Sequence, residues 1–361
     1  MSAGPVRYRR LRESLEARGH EAALVTHMPD VRYLSGFTGS SGVLWLAADA
    51  PPILITDSRY EEQAAEEVGP PAEVRIAREG WVAELGEVAG DSRRSVAFDP
   101  ARLTVARLDE LADKLSACEM EPASELVSRF RAVKDEGERE SIEAAARLAE
   151  LAFQRTLEAI DWRGGPTERE VAARLVYELG VAGSGPLPFD VIVASGPRTA
   201  LPHASPSARR IGRGDLVLFD LGARVDGYCS DITRNAVVGR AAAWQSELHE
   251  GVLDAQRKAI DAVAPEVPCA DVDATVREAL AEADWERYFG HSTGHGLGLE
   301  VHEAPSLSRR SEATLAEGNV VTVEPGVYLP GRGGVRIEDD IWVGKDGCRR
   351  LTSLPRELVE L

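Results

Sequence analysis

An aspartate inside an apolar run limits how this chain can fold. Asp220 interrupts residues 216–222 (LVLFDLG), which otherwise predict a buried strand. A carboxylate in a buried strand is costly unless an opposite charge or a metal ion compensates it. Asp231 follows eleven residues later, with the turn signal Asp226-Gly227 between the two. We predict a hairpin that places the two carboxylates roughly opposite each other, about 5 Å apart at Cβ. Such a pair repels unless a cation or a proton lies between its members.

A glycine-rich segment at residues 290–303 adds three histidines, His291, His295 and His302. Its four glycines permit unusual backbone angles and close approach of neighbouring chain. The segment does not contain an HExxH zinc motif, because Ser306 occupies the position where the second histidine would stand. These histidines are therefore candidates for a different kind of metal or catalytic site.

Two later strand patterns end in carboxylates. Residues 320–326 place Glu324 at the end of a hydrophobic strand, just before a proline-glycine turn. Residues 334–340 alternate, so that Arg336, Glu338 and Asp340 share one strand face. Each pattern alone is weak evidence, since acidic residues are common at strand ends.

The conjunction of these segments predicts a metal centre. It joins four carboxylates to one imidazole: Asp220, Asp231, Glu324, Glu338 and His295. Four negative charges would balance two divalent cations in a buried site, where unbalanced charge is expensive. Oxygen-rich ligation with one nitrogen suits Mn²⁺ or Co²⁺, whereas a structural zinc site prefers cysteine and histidine.

The periodicity of the chain predicts an α/β (α+β) protein with two domains. Before a boundary near residue 125, helix patterns at 8–18 and 58–68 alternate with strands near 22–25, 43–46, 53–55 and 95–98. After it, helices at 139–160 and 167–180 precede strands at 190–194, 215–221 and 228–238. The order then repeats, with helices at 244–263 and 272–282 and strands at 319–324 and 334–343. Two helices followed by strands, twice, indicate duplicated ααβ units.

Composition excludes several classes of partner. The 361 residues include 42 Lys+Arg and 60 Asp+Glu, which give a net charge of −18. Such a chain is repelled by nucleic-acid phosphates and anionic lipid, so we expect neither as a partner. We find no apolar run of 18 residues and read no signal peptide. The four scattered cysteines contain no CxxC pair, which favours a reducing, cytoplasmic location.

At these motifs the chain resembles the pita-bread metallopeptidases, which include Xaa-Pro aminopeptidases, Xaa-Pro dipeptidases (prolidases) and methionine aminopeptidases. The matching segments occur in the family's order: FDLG at 219–222, SDITR at 230–234, HGLG at 295–298, VEPG at 323–326 and RIED at 336–339. Residues 32–42 and 56–60 also resemble the creatinase-type N-terminal domain. Methionine aminopeptidases lack that domain, so the proline-specific branch is favoured.

The resemblance implies a creatinase-type domain over residues 1–125 and a pita-bread catalytic domain over residues 126–361. It implies that Asp220 holds one metal ion, that Asp231 and Glu338 bridge both ions, and that His295 and Glu324 hold the other. Mn²⁺ is the expected ion, with Co²⁺ or Zn²⁺ as alternatives. A homodimer is the assembly that such relatives suggest.

The resemblance also implies residues around the ions. His203 matches a histidine on the substrate side, and His291 and His302 match two outer histidines. Tyr328 and Arg336 match positions around the ligating carboxylates. The implied reaction is hydrolysis of the bond between an N-terminal residue and proline in a dipeptide or oligopeptide, by a hydroxide that two metal ions activate.

Some alternatives stay open. A binding protein that kept the fold without the chemistry, or a creatinase-like amidinohydrolase, would share the same architecture. Residues 183–186 (GSGP) lack an acidic residue that many relatives carry, which leaves part of the substrate pocket undetermined. The sequence also leaves open the choice between a dipeptidase and an aminopeptidase for longer peptides. Phosphate-loop and GxSxG motifs are not found.

Overall fold

The computed structural model describes residues 4–361, and the chain divides into two compact units. The first unit ends at Arg131 and the second begins at Ala132. Within the described residues, none of the helices is both long enough and apolar enough to cross a bilayer.

The first unit is an α/β domain built on a mixed sheet. In chain order its elements are α1 (Gly4–Ala17), β1 (Ala22–Val25), α2 (Met28–Ser35), β2 (Val43–Ala47), β3 (Ile53–Asp57), α3 (Glu61–Glu67), β4 (Glu73–Ala77), α4 (Trp81–Ala89), β5 (Arg94–Phe98), α5 (Val105–Lys114), β6 (Cys118–Pro122) and α6 (Ser128–Arg131). The strands run in the order β4-β3-β2-β1-β5-β6. Strand β1 pairs antiparallel with β2 and parallel with β5.

The predicted elements of this unit are present, and the structure adds four helices (α2, α4, α5 and α6) and two edge strands. Helix α1 ends just before Gly19, whose φ of 79° lies in the left-handed region that favours glycine. Strands β4 and β6 have charged, half-exposed sequences, EVRIA and CEMEP, because each pairs on one side only. Such strands lack the continuous apolar runs from which the central strands were predicted.

The second unit contains the helix pairs and the remaining sheets. Its elements are α7 (Glu136–Ala159), α8 (Glu168–Ala182), β7 (Ile192–Ser195), β8 (Leu216–Leu221), β9 (Arg224–Val225), β10 (Tyr228–Cys229), β11 (Ile232–Val237), α9 (Ala243–Ala262), α10 (Cys269–Ala281), β12 (Gly294–Gly296), β13 (Glu303–Leu307), β14 (Val320–Val323), β15 (Gly326–Leu329), β16 (Gly333–Arg336), β17 (Asp339–Gly344), β18 (Gly347–Arg350) and β19 (Val359–Glu360). Helix α8 begins with a capping box: the Thr167 side chain accepts from the Glu170 backbone N–H, and the Glu170 carboxylate accepts from the Thr167 backbone N–H.

The second unit consists of two similar halves. In the first half, α7 and α8 pack on the sheet β19-β11-β8-β7, around Phe153, Leu175 and Phe219. In the second half, α9 and α10 pack on the sheet β13-β12-β14-β17-β18, around Val252 and Val321. This arrangement agrees with the predicted repetition of two helices followed by strands.

The hairpin between Asp220 and Asp231 forms, but its register differs from the prediction. Asp226 and Gly227 have φ values of 48° and 83°, as a two-residue type I′ turn requires. The turn therefore centres between these two residues, and Asp220 lies opposite Thr233 instead of Asp231. Asp231 lies two positions nearer the turn than Thr233, the residue opposite Asp220. Because the shift is an even number of residues, both carboxylates remain on the same face.

Candidate metal centre

Strand ends and strand breaks position the five candidate ligands. Asp220 is in β8, and Asp231 directly precedes β11. His295 is in β12, Glu324 directly follows β14, and Glu338 lies between β16 and β17. All five line one cavity of about 490 Å³ in the second unit.

The ligand atoms lie close together. One ligand atom from each of Asp231, His295 and Glu338 lies within 4.8 Å of the others. The His295 Nε2 atom is 3.5 Å from Oε1 of Glu324 and 3.8 Å from Oδ2 of Asp231. These separations are longer than hydrogen bonds and leave room for an ion between the side chains.

His295 presents a neutral nitrogen to these carboxylates. Its Nδ1 lies 3.0 Å from the backbone oxygen of Gly296, so Nδ1–H donates there and Nε2 carries the lone pair. Burial lowers the pKa of His295 to about 4, so the ring is neutral at neutral pH. A lone pair that faces two carboxylates is the arrangement expected of a metal-binding imidazole.

The buried carboxylates resist ionisation unless a cation joins them. Burial, with added repulsion from Glu338, raises the pKa of Asp231 and of Glu324 well above the usual range. Burial and the neighbouring Asp220 raise the pKa of Glu338 to about 7. A divalent cation bound between these carboxylates would lower their pKa values again, because its positive charge favours the ionised form and offsets the mutual repulsion.

Asp220 supplies a further test of whether an ion fits. Its Oδ2 accepts a hydrogen bond of 2.6 Å from Nη2 of Arg336. Its Oδ1 is buried, and no residue that the structure describes forms a hydrogen bond with it. A buried oxygen of this kind requires an explanation, and a cation bound by Asp220 and Asp231 supplies one. The donor set of this cavity therefore fits a divalent metal.

The outer histidines also lie at this cavity. His203, His291 and His302 line it, and the His302 ring lies 4.3 Å from that of His295 between centroids. His291 donates from Nδ1 to the Ser292 backbone oxygen, at 2.8 Å. Burial lowers the pKa of His291 to about 4, which keeps it neutral.

Tyr328 lies behind the cavity wall. Its hydroxyl is 2.9 Å from Nε2 of His291 and 3.0 Å from Nη1 of Arg336. The hydroxyl therefore donates to the imidazole and accepts from the guanidinium. Tyr328 connects an outer histidine to the arginine that holds Asp220.

The sequence patterns did not single out Thr233 and Arg234, two residues that hold Glu338 in place. Thr233 Oγ1 donates to Glu338 Oε2 at 2.7 Å and accepts from Arg336 Nε at 3.0 Å. Arg234 donates to the Glu338 backbone oxygen and to Asp339 Oδ1, both at 2.6 Å. Both residues belong to the SDITR segment, so the motif contained the signal. The pairing partners lie about a hundred positions away in sequence.

The glycines of the histidine segment have a steric role. A Cβ at Gly294 would lie 1.8 Å from the backbone oxygen of Thr322, and one at Gly296 would lie 2.2 Å from that of Ala304. Only glycine allows β12 to approach its two neighbours this closely. His295, between these glycines, is thereby placed at the cavity.

Comparison with known proteins gives the same architecture. Residues 140–345 match metallopeptidase family M24, and residues 7–133 match the creatinase/prolidase N-terminal domain. The chain is 38% identical to a Xaa-Pro dipeptidase of Pyrococcus horikoshii over 348 residues, which are 96% of this chain and 97% of that protein.

Solved structures of similar proteins superpose on this chain over nearly its whole length. A Xaa-Pro dipeptidase from Bacillus anthracis superposes with a TM-score of 0.94 at 37% identity, covering 99% of this chain and 100% of the other. An X-Pro aminopeptidase from Thermotoga maritima gives a TM-score of 0.89 at 37% identity, covering 95% and 98%. The predicted fold, a creatinase-type domain followed by a pita-bread domain, is confirmed. The chain therefore belongs to metallopeptidase family M24, which implies divalent metal ions as cofactors.

Proposed function

We propose that this protein hydrolyses the peptide bond between an N-terminal residue and a following proline, with two divalent cations as cofactors. The observation that carries the proposal is the approach of the His295 Nε2 lone pair to the carboxylates of Asp231 and Glu324 within one cavity. The proline specificity is supported by the names of the relatives, Xaa-Pro dipeptidase and X-Pro aminopeptidase.

The proposed ligands divide between the two ions. Asp220 would hold one ion, His295 and Glu324 the other, while Asp231 and Glu338 would contact both. Four carboxylates and one imidazole favour Mn²⁺, with Co²⁺ or Zn²⁺ as alternatives. When bound, such ions activate water as a nucleophile and polarise the scissile carbonyl group.

The side chains of the protein would perform the other tasks. Glu324 would pass a proton to the leaving proline nitrogen, which needs one because it departs as an amine. His302 would stabilise the negative charge that develops on the carbonyl oxygen. His203 and His291 would contact the substrate. Arg336 would keep Asp220 oriented through its hydrogen bond of 2.6 Å.

The cavity wall is consistent with a proline-containing substrate. A proline nitrogen in a peptide bond carries no hydrogen, so the enzyme cannot recognise it through an N–H contact. Recognition must use the shape and the apolar surface of the pyrrolidine ring. The cavity offers apolar side chains for this purpose, namely Phe189, Ile192, Pro202 and Val301.

We also propose domain bounds, an oligomeric state and a cellular location for this protein. We place the catalytic domain at residues 126–361 and the creatinase-type domain at residues 1–125. A homodimer in the cytoplasm is the proposed state, and the free thiols of Cys118, Cys229, Cys269 and Cys348 support a reducing environment. The charge of −18 supports peptides, and not nucleic acid or membrane, as partners.

The test measures hydrolysis of Ala-Pro, Ala-Pro-Ala and Ala-Ala by metal-depleted protein to which Mn²⁺, Co²⁺ or Zn²⁺ is added singly. We expect cleavage of at least one proline peptide, none of Ala-Ala, and the highest rate with Mn²⁺. The ratio of Ala-Pro to Ala-Pro-Ala cleavage distinguishes a dipeptidase from an aminopeptidase. Turnover of creatine in place of peptides would indicate an amidinohydrolase. Inactivity with every metal would indicate a binding protein.

A further inference from the structure

Glu168 is a buried carboxylate that lies outside the candidate metal centre. It is the first residue of α8, and its side chain is fully buried, at 0% exposure. It is not among the residues that line the cavity. Burying a charged side chain is expensive, so a carboxylate at this position must be compensated by its surroundings.

Five hydrogen bonds provide that compensation. Oε1 of Glu168 accepts from the backbone N–H and the hydroxyl of Ser195, both at 2.8 Å. Oε2 accepts from Arg198 Nε at 3.0 Å, and from the backbone N–H and hydroxyl of Ser207 at 2.9 and 2.6 Å. Burial alone would raise the pKa of Glu168. The bonds from Ser207 and Ser195, with the charge of Arg198, outweigh it and leave the pKa below its usual value.

The partners of Glu168 flank the segment that forms one wall of the cavity. We call residues 196–207 the wall segment. Five of its residues, 202–206, line the cavity and include His203. Arg198 also donates from Nη2 to the Ser205 backbone oxygen at 2.7 Å. Glu168 and Arg198 thus hold the wall segment at points before and after His203 in the sequence.

A second attachment fixes the wall segment on the side of the metal ligands. Arg336 donates from Nη1 to the Pro202 backbone oxygen at 3.1 Å, and its Nη2 holds Asp220. His203 follows Pro202 directly and lies between this attachment and the one at Ser205. The position of the His203 backbone is therefore set from both sides.

We propose that Glu168 is a positioning residue for substrate binding, which acts by holding the wall segment so that His203 faces the cavity. This inference rests on the function proposed above. It distinguishes the substrate side of the site from the metal side: loss of Glu168 should weaken substrate binding and leave the metal ligands intact.

The test replaces the carboxylate by its neutral isostere in Glu168→Gln. The amide nitrogen of glutamine cannot accept hydrogen bonds, so the bonds that one of the two carboxylate oxygens of Glu168 accepts are lost. Arg198 also loses its counter-charge. We expect kcat/KM for the preferred proline peptide to fall about 10- to 100-fold, mostly through KM, with unchanged metal content per chain.

Glu178→Gln is the matched control. Glu178 is a buried carboxylate on the same helix, and its ion pair of 2.6 Å joins it to the half-exposed Arg174, away from the wall segment. This variant should retain wild-type KM and kcat. A similar rise in KM for both variants would show a general loss of helix packing and would overturn the proposal.

A double-mutant cycle tests whether the effect passes through His203. If it does, Glu168→Gln combined with His203→Ala should be no slower than His203→Ala alone. If instead the losses in kcat/KM of the two single variants multiply in the double variant, Glu168 acts independently of His203 and the inference is overturned.

Should Glu168→Gln fail to fold, Ser207→Ala removes one of the hydrogen bonds, and we expect KM to rise about threefold. An unchanged KM in that variant would overturn the inference.

The two proposals fail in different ways. If the wild-type protein cleaves no proline peptide with any metal, the proposed function is wrong. If the wild-type protein is active and Glu168→Gln has the same kinetics, the function stands and only the role of Glu168 is wrong.

Discussion

Arg336 holds Asp220 through one carboxylate oxygen and leaves the other buried, without a hydrogen-bond partner among residues 4–361. The Asp220 carboxylate is therefore asymmetric: the guanidinium partly neutralises the charge at Oδ2, and Oδ1 stays available to bind another group. The guanidinium fixes the orientation of the side chain, and the unused oxygen points to an additional positive group. This asymmetry is the basis for treating Asp220 as a metal ligand.

The first prediction concerns Glu338, which is proposed to contact both ions. In Glu338→Ala, metal content and peptide hydrolysis should fall together, with activity lowered more than about 100-fold, the upper range for loss of an outer partner. Metal per chain is measured by elemental analysis of the purified variant, and hydrolysis with the preferred proline peptide. The exposed Glu317→Ala serves as the control. Retained turnover in Glu338→Ala would contradict the proposed ligand set.

The second prediction concerns metal removal. Because the ions would bind only the folded protein, free metal at about 100 times its Kd should add about 2.7 kcal/mol to the free energy of unfolding. For a unit of this size, each kcal/mol corresponds to roughly 2–4 °C in Tm. Calorimetry should therefore show a lower Tm after chelation and its recovery when Mn²⁺ is restored. A Tm that does not respond to chelator or metal would argue against a buried metal centre.

The third prediction uses two glycines of the histidine segment. Gly294→Ala places a Cβ against the Thr322 backbone oxygen, so β12 must shift and the free energy of unfolding should fall by about 1–3 kcal/mol. Activity should fall as well, because His295 is the next residue. Gly290→Ala is the matched control, since nothing lies within 4 Å of its added Cβ. Urea unfolding of both variants measures the difference, and equal stabilities would refute the steric argument.

The fourth prediction concerns pH and a histidine that is not among the residues lining the cavity. Burial lowers the pKa of His249 in α9 to about 4, whereas an unfolded histidine titrates near 6.5. Between these values the unfolded chain binds the proton more readily, so lowering the pH favours unfolding. The wild-type protein should lose about 3 kcal/mol through this group as pH falls from above 6.5 to 4.

The His249→Gln variant should not show this part of the pH dependence. Both proteins are compared in chelator, so that release of metal at low pH does not contribute. The free energy of unfolding is measured from pH 7.5 to pH 4 with urea. Parallel curves for wild type and variant would mean that His249 is not buried in its neutral form.

The longer helices and the central strands were predicted from the sequence, because their signals are local, whereas the helices α2, α4, α5 and α6 of the first unit were not. The Thr167–Glu170 capping box and the glycine after α1 mark helix ends through contacts within a few residues. The edge strands β4 and β6 were missed, since pairing on a single side does not require an apolar sequence.

The candidate ligands were predicted from charged residues in apolar strands, and the cavity contains all five. Arg336, which holds Asp220, was expected from the resemblance, whereas other hydrogen-bonded supports of the site were not predicted. Glu168 and Arg234 act on partners that are distant in sequence, and neither interrupts an apolar pattern. Predicting such contacts requires the packing of whole strands, which local periodicity does not specify. The register error at Asp220 has a related cause, since the turn centre was estimated only to within one position.

The type I′ turn at Asp226-Gly227 has a consequence for how this hairpin tolerates length changes. Successive side chains of a strand point to opposite faces, so inserting or deleting one residue within either strand, with the two-residue turn kept, would turn one carboxylate away from the other. Only changes in steps of two preserve the parity of the pair. The eleven-residue spacing is thus a constraint on insertions, independent of the identity of most residues within it.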